Sequence, residues 1–192
     1  MHYFLGFEIH QENDGIFFNQ KKYATDLLKK FRMNEAKSVP TPLVANLKLV
    51  KDDGSDAADA TLFRSIIGSL LYLSTSHPDL MFAASYLSRF MQSPSQIHLC
   101  AAKRVLRYVK GTVDFSIRFV KNKSSNLQGF CDSDWTGSIE DSKSTSGFSF
   151  SFGSGVFAWN SKKQEVVAQS SAEAVCFSCS GQQSSDLVEK SS

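Results

Sequence analysis

Between residues 61 and 110 apolar side chains recur at the three-to-four spacing of helices, and between 115 and 161 they recur at every second residue. A helical stripe cannot keep one face in a sheet, and an alternating run cannot keep one face in a helix. This change of period restricts the chain to an α+β class, with helices and strands in separate stretches. Phe63, Ile66, Ile67, Leu70 and Leu71 form the first stripe. Pro78, preceded by Ser76 and His77, restarts a helix through Met81, Ala84, Leu87, Phe90 and Met91, and Pro94 stops it. A third helix over about 96–110 is expected to bury Ala102, Val105, Leu106 and Val109. The alternating runs FSIRF (115–119), LQGFCDSDW (127–135), SGFSFSF (146–152) and GVFAWNS (155–161) predict an antiparallel meander, with Gly153-Ser154-Gly155 turning the last pair. Phe148, Phe150, Phe152, Phe157 and Trp159 are expected to face a core rather than to stack on bases.

Ahead of the helical block, YFLGFEIHQENDGIFF at 3–18 predicts a hairpin turning at Asp14-Gly15. Tyr23, Leu27, Leu28 and Phe31 then mark an amphipathic helix over 20–33, which Pro40 and Pro42 are expected to end, and KDDGSDAADA at 51–60 suggests a polar, mobile connection. A closing helix should start near Ser170, but from Val175 the text CFSCSGQQSSDLVEKSS shows no apolar period.

A net charge of +2 is too small to demand a nucleic-acid partner, so such a role must rest on where the charges lie. Across 96–123 seven cations (Lys103, Arg104, Arg107, Lys110, Arg118, Lys121 and Lys123) face the single acid Asp114. Lys103, Arg107 and Lys110 share one helix face, with Arg104 beside them. Such a face is either a solvated surface or a phosphate-gripping one. Cys100, Cys131, Cys176 and Cys179 show no disulfide framework, and the Cys176/Cys179 pair lacks the second ligand pair of a zinc site and the βαβ context of a redox motif. A reduced, intracellular setting without a membrane span is the default expectation. His98 is expected to cap or pack rather than to ligate. Asp132 and Asp134 stand two apart on a strand, hence on one face; alone they are either solvated carboxylates or metal ligands.

Taken in order, YFLGFEI, GIFFNQKKYATDLLKKF, FRSIIGSLLYLSTSHPDLMFAASYLSRFMQSP, HLCAAKRVLRYVKGT, GFCDSDWTGS, KSTSGFSF and WNSKKQEVVAQSSAEA closely resemble the C-terminal part of the Pol polyprotein of copia-type LTR retrotransposons, over about residues 1–174. His77 departs from the arginine usual before Pro-Asp in that family. The resemblance implies the end of a reverse transcriptase palm over 1–50 (hairpin and helix), a linker at 51–60, a helical thumb-like connection over 61–123, and over 124–174 an incomplete RNase H-like antiparallel three-stranded sheet.

Further implications concern chemistry. The family polymerises with a carboxylate pair in a Tyr-Val-Asp-Asp turn and an upstream Asp, none of which occurs here, so no polymerase activity is expected. Its RNase H site gathers carboxylates around two Mg²⁺ ions roughly 4 Å apart. Asp132 matches the first of those acids, and Asp134 lies beside it; the next, the second Glu of Ala-Glu-Ala-Glu, is Val175 here. Glu173 is two residues away, about 200° around a helix, and makes a poor substitute. Asp132 and Asp134 are therefore expected to be vestigial, insufficient for a metal, with no cofactor bound. Lys103, Arg104, Arg107 and Lys110 correspond to a thumb that grips a template–primer duplex, which implies at most weak, sequence-independent binding of RNA–DNA or other duplexes and no specific protein partner. A permissible set of codons for residues 175–190, read one base later, spells Tyr-Val-Ser-Ala-Ala-Val-Ala-Asn-Asn-Gln-Ala-Ile-Trp-Leu-Arg, like the family's own continuation. Residues 175–192 are thus read as an out-of-frame tail on a remnant of a longer protein.

Overall fold

The computed structural model describes residues 2–121 and 126–180, and the chain divides into two units, residues 1–126 with 153–155 and residues 127–152 with 156–192. Lys123, counted in the basic stretch, and the tail beyond Ser180 lie outside the described residues, as do the side chains of Cys176 and Cys179.

The first unit opens with β1 (His2–Phe4), β2 (Phe7–Glu12) and β3 (Gly15–Asn19), followed by α1 (Lys21–Lys30). Glu12 pairs with Gly15, so the hairpin turns on Asn13-Asp14, one residue earlier than the Asp-Gly signal suggests. β1 was hidden because Leu5 and Gly6 reverse the chain in two residues, both at positive φ (47° and 79°), and leucine carries no turn signal. Helix α1 ends well before the prolines. Phe31 caps it, Arg32 stands at φ +56°, and Arg32 N–H and Met33 N–H return to the carbonyls of Lys29 and Leu28. That is a Schellman turn, here without its usual glycine. At the other end Glu8, buried on β2, accepts the Lys22 N–H at 2.6 Å and does the capping that Gln20 does not.

Helix α2 (Ala60–Leu73) starts where Asp59 accepts the N–H groups of Thr61 and Leu62. A 3-10 turn at Pro78–Leu80 then leads into α3 (Met81–Ser88), and α4 (Gln96–Gly111) follows. Phe63, Ile67, Leu70, Ala84, Leu87, Ala102, Val105, Leu106 and Val109 are fully buried and form one core with Ala24, Leu27 and Leu28 of α1. The polar segment 51–60 is tied down rather than loose: Ala58 N–H donates to Pro94 C=O, Gln96 N–H to Asp56 C=O, and Ala57 bridges Ser95. The run at 115–119 also departs from expectation. It becomes β4 (Ile117–Val120), which pairs antiparallel with β3 and completes a sheet ordered β1-β2-β3-β4 instead of opening the later meander. Alternation reveals strand character but not which strand will be the neighbour.

The second unit contains β5 (Leu127–Asp134), β6 (Thr145–Phe152) and β7 (Gly155–Lys163) in that order, then α5 (Ser171–Ser180), which packs against β5 and β6. The helix runs past Val175 through Ser180, although no apolar period marks that stretch. Phe150 lies over Gly129 on β5, where an added Cβ would come within 2.4 Å of the ring. The expected core-facing aromatics are only partly covered. Phe148, Phe150 and Trp159 are half-buried, and Phe152 and Phe157 are exposed.

Candidate functional site

The register of β5 against β6 pairs Asp132 with Gly147 and Asp134 with Thr145, so both acids occupy one face of β5, opposite the face that carries Phe148 and Phe150. Both are exposed. Each carboxylate already accepts a backbone N–H: Asp132 that of Ser133 at 2.8 Å, and Asp134 that of Thr145. Glu173 is turned back along its own helix start. Its carboxylate accepts the Gln169 N–H at 2.7 Å while its N–H donates to Ser170 Oγ, so it works as a capping residue. Val175 is exposed on the same helix. Among the described residues no three His, Cys, Asp or Glu side chains converge as a metal would need. A two-metal site requires several carboxylates on one point, and the acids among the described residues do not make such a set.

The four cations of α4 have separate fates. Arg104 Nη2 donates to Thr41 Oγ1 at 3.0 Å and Arg107 Nε to Lys37 C=O at 2.7 Å, so both hold the segment 37–41 against the helix. Gly111 allows that approach, since a Cβ there would stand 3.3 Å from Ser38 Cβ. These partners are neutral, so the guanidinium charges are not cancelled. Lys103 is exposed and Lys110 half-buried. Sequence reasoning did not find two further cations beside Lys103. Lys30 and Arg32, from the end of α1, line a cavity of about 250 Å³ together with it. Their distance along the chain hides the grouping; the only sequence clue is an arginine where a helix stops.

His98 behaves as a structural group. It is fully buried, its N–H and Nδ1 form a capping box with Ser95, its Nε2 lies 3.1 Å from Val50 C=O, and its ring stacks on Phe90 at 4.0 Å. Ser95 Oγ also donates to Asp53. The Ser55 hydroxyl first, then Ser95 and the Ser55 N–H, hold the Asp53 carboxyl down to about 2. His77 is buried as well, with Ser76 Oγ 2.9 Å from Nδ1 and donating onward to Gln20, and burial pushes its imidazole below the ordinary value.

No family model matches the chain, and no solved structure does. It is similar to the retrovirus-related Pol polyprotein from transposon RE2 of Arabidopsis thaliana, 41% identical over 174 residues that make up 91% of this chain and 12% of that protein. It is similar to the retrovirus-related Pol polyprotein from transposon TNT 1-94 of Nicotiana tabacum, 35% identical over 88% of this chain and 13% of that protein. An uncharacterized mitochondrial protein of Arabidopsis thaliana is 39% identical over 175 residues, 90% of this chain and 72% of its own length. The chain thus spans only a small part of the Pol polyproteins it matches.

Proposed function

We propose that the chain, similar over about nine-tenths of its length to retrovirus-related Pol polyproteins from transposons, is a catalytically inactive remnant of their reverse transcriptase and RNase H region, of copia type. The parent activities under this reading are RNA-directed DNA synthesis and degradation of RNA in RNA–DNA hybrids. The observation that carries the reading is the second unit: three strands in the order β5-β6-β7 followed by a helix, with Asp132 and Asp134 on one face of the first strand. This agrees with the start of an RNase H-like domain. Inactivity is supported by the helix itself, where Val175 stands at the position of the next acid and Glu173 is engaged with the Gln169 N–H. Two carboxylates on a strand can attract a cation weakly, but they cannot fix two metals at in-line geometry.

A second reading is favoured by one observation on α4. Among the described residues none of Lys103, Arg104, Arg107 and Lys110 is paired with an acid. A helix with four uncompensated cations binds phosphate backbones through charge alone, without base readout. The chain would then persist as a weak nucleic-acid-binding module.

Incubation with primer–template and with an RNA–DNA hybrid, in Mg²⁺ and in Mn²⁺, tests the first reading. Neither extension nor cleavage is expected. Cleavage that disappears with Asp132→Asn would overturn it.

A further inference from the structure

We propose that Lys30, Arg32 and Lys103 form a pocket for a phosphate group of a nucleic-acid strand. The proposal rests on the nucleic-acid-binding reading and gives it a specific seat around Lys103 that includes neither Arg107 nor Lys110. The cavity, about 250 Å³, lies where the end of α1 meets α2 and α4. Its floor is apolar, made by Leu62, Ile66 and Leu106, and none of its lining residues is acidic. Among the described residues Arg32 and Lys103 have no ion-pair or side-chain hydrogen-bond partner. Lys30 is held in place by Ser65 Oγ at 3.1 Å and lies 5.0 Å over the Phe31 ring.

A structural account covers part of this arrangement. A lysine in the last turn of α1 complements the negative end of the helix dipole, which explains Lys30. It does not explain Lys103, which projects from the middle of another helix. Nor does it explain Arg32, which occupies the left-handed position of the Schellman turn at φ +56°, where glycine ends a helix without strain. Like charges gathered around one cavity repel one another, and the arrangement becomes favourable when an anion enters. A phosphate fits that requirement: its tetrahedral oxygens accept a planar two-pronged contact from a guanidinium and point contacts from two ammonium groups. The apolar floor meets the carbons of the attached sugar.

The test uses the whole chain, inorganic phosphate and a ten-nucleotide oligodeoxythymidine. Anisotropy titrations at several salt concentrations measure oligonucleotide affinity, and amide chemical shifts locate the phosphate. The double variant Lys30→Gln/Arg32→Gly should weaken oligonucleotide binding about tenfold and flatten the salt slope by about 1.4 for two lost contacts on a single strand. Arg32→Gly alone should raise Tm while weakening binding, which separates loss of the ligand from loss of the fold. Inorganic phosphate should shift the amides around 30–33 and 103 in the natural chain and not in the double variant. Unchanged binding in Lys30→Gln/Arg32→Gly, with weakened binding in Arg107→Gln/Lys110→Gln, overturns the pocket and leaves the helix face standing. The opposite pattern supports the pocket and removes the helix face. Phosphate shifts at 30–33 without any oligonucleotide binding overturn the strand as the source of the phosphate.

Discussion

Replacing Ile67 by alanine should loosen the helices of the first unit and leave β6 and β7 as they were. Ile67 is fully buried at the centre of the core shared by α1, α2, α3 and α4. Removing its outer carbons costs the transfer energy and leaves a cavity, about 2–5 kcal/mol in total. The second unit has no comparable core among the described residues, where its fully covered apolar side chains are Ala168 and Ala174. Phe130 is 69% exposed, Trp135 and Phe152 each 50%, and Phe157 45%. Full burial of an aromatic of this size is worth about 1.5–3 kcal/mol, so each leaves about 1 kcal/mol unrealised, or about 4 kcal/mol for the four. Against a typical stability of about 5–15 kcal/mol that is a large fraction. In the unsubstituted chain, amides of β6 and β7 should therefore exchange with solvent about a thousandfold faster than those of α2 and α4. With Ile67→Ala the α2 and α4 amides should lose protection and the gap should narrow. Hydrogen exchange resolved by residue measures both. Equal protection of 146–152 and 99–109 in the unsubstituted chain, or a fall in β6 protection matching that in α4 after the substitution, would refute the reasoning.

Three further outcomes are expected. Ser95→Ala removes the cap of α4 and should lower unfolding free energy by about 1–2 kcal/mol in denaturant titration; an unchanged midpoint contradicts the role given to the capping box. His77, hydrogen-bonded to Ser76 and opposed by the charge of Asp79, is held below its ordinary 6.5 by burial. The unfolded chain therefore takes up that proton first, so the stability it confers is present above about pH 6.5 and is lost as pH falls toward the folded value. Thermal unfolding from pH 7.5 to 5 should show this decline, and His77→Gln should reduce its slope; an equal slope in both proteins contradicts it. Finally, β5 is an edge strand carrying exposed Leu127 and Phe130, and Phe130→Lys should slow concentration-dependent aggregation measured by light scattering; aggregation at the same rate would place the sticky surface elsewhere.

Much of the fold was legible in the sequence because it is written in local periods. The stripes of α2 and α4, the alternation of β5, β6 and β7, and the helix start at Ser171 all follow from side-chain spacing within ten to fifteen residues. What escaped is what depends on distant neighbours. β4 has the alternation of the later strands, yet its partner is β3, about a hundred residues earlier in the chain. Helix α1 ends at an arginine in a left-handed turn, which no glycine or nearby proline announces. The candidate site divides in the same way. Asp132 and Asp134 could be found on one face from spacing alone, whereas Lys30 and Arg32 meet Lys103 only through the packing of α1 on α4.

The central claim is that the acids of the second unit do not assemble a two-metal catalytic centre, and Mn²⁺ titration followed by paramagnetic broadening of amide signals addresses it most directly. The account predicts weak binding, about millimolar, with broadening confined to residues next to Asp132 and Asp134 and little change at Glu173. Tight uptake of two Mn²⁺ ions per chain, with broadening at Asp132, Asp134 and Glu173 together and lost in Asp132→Asn, would contradict it.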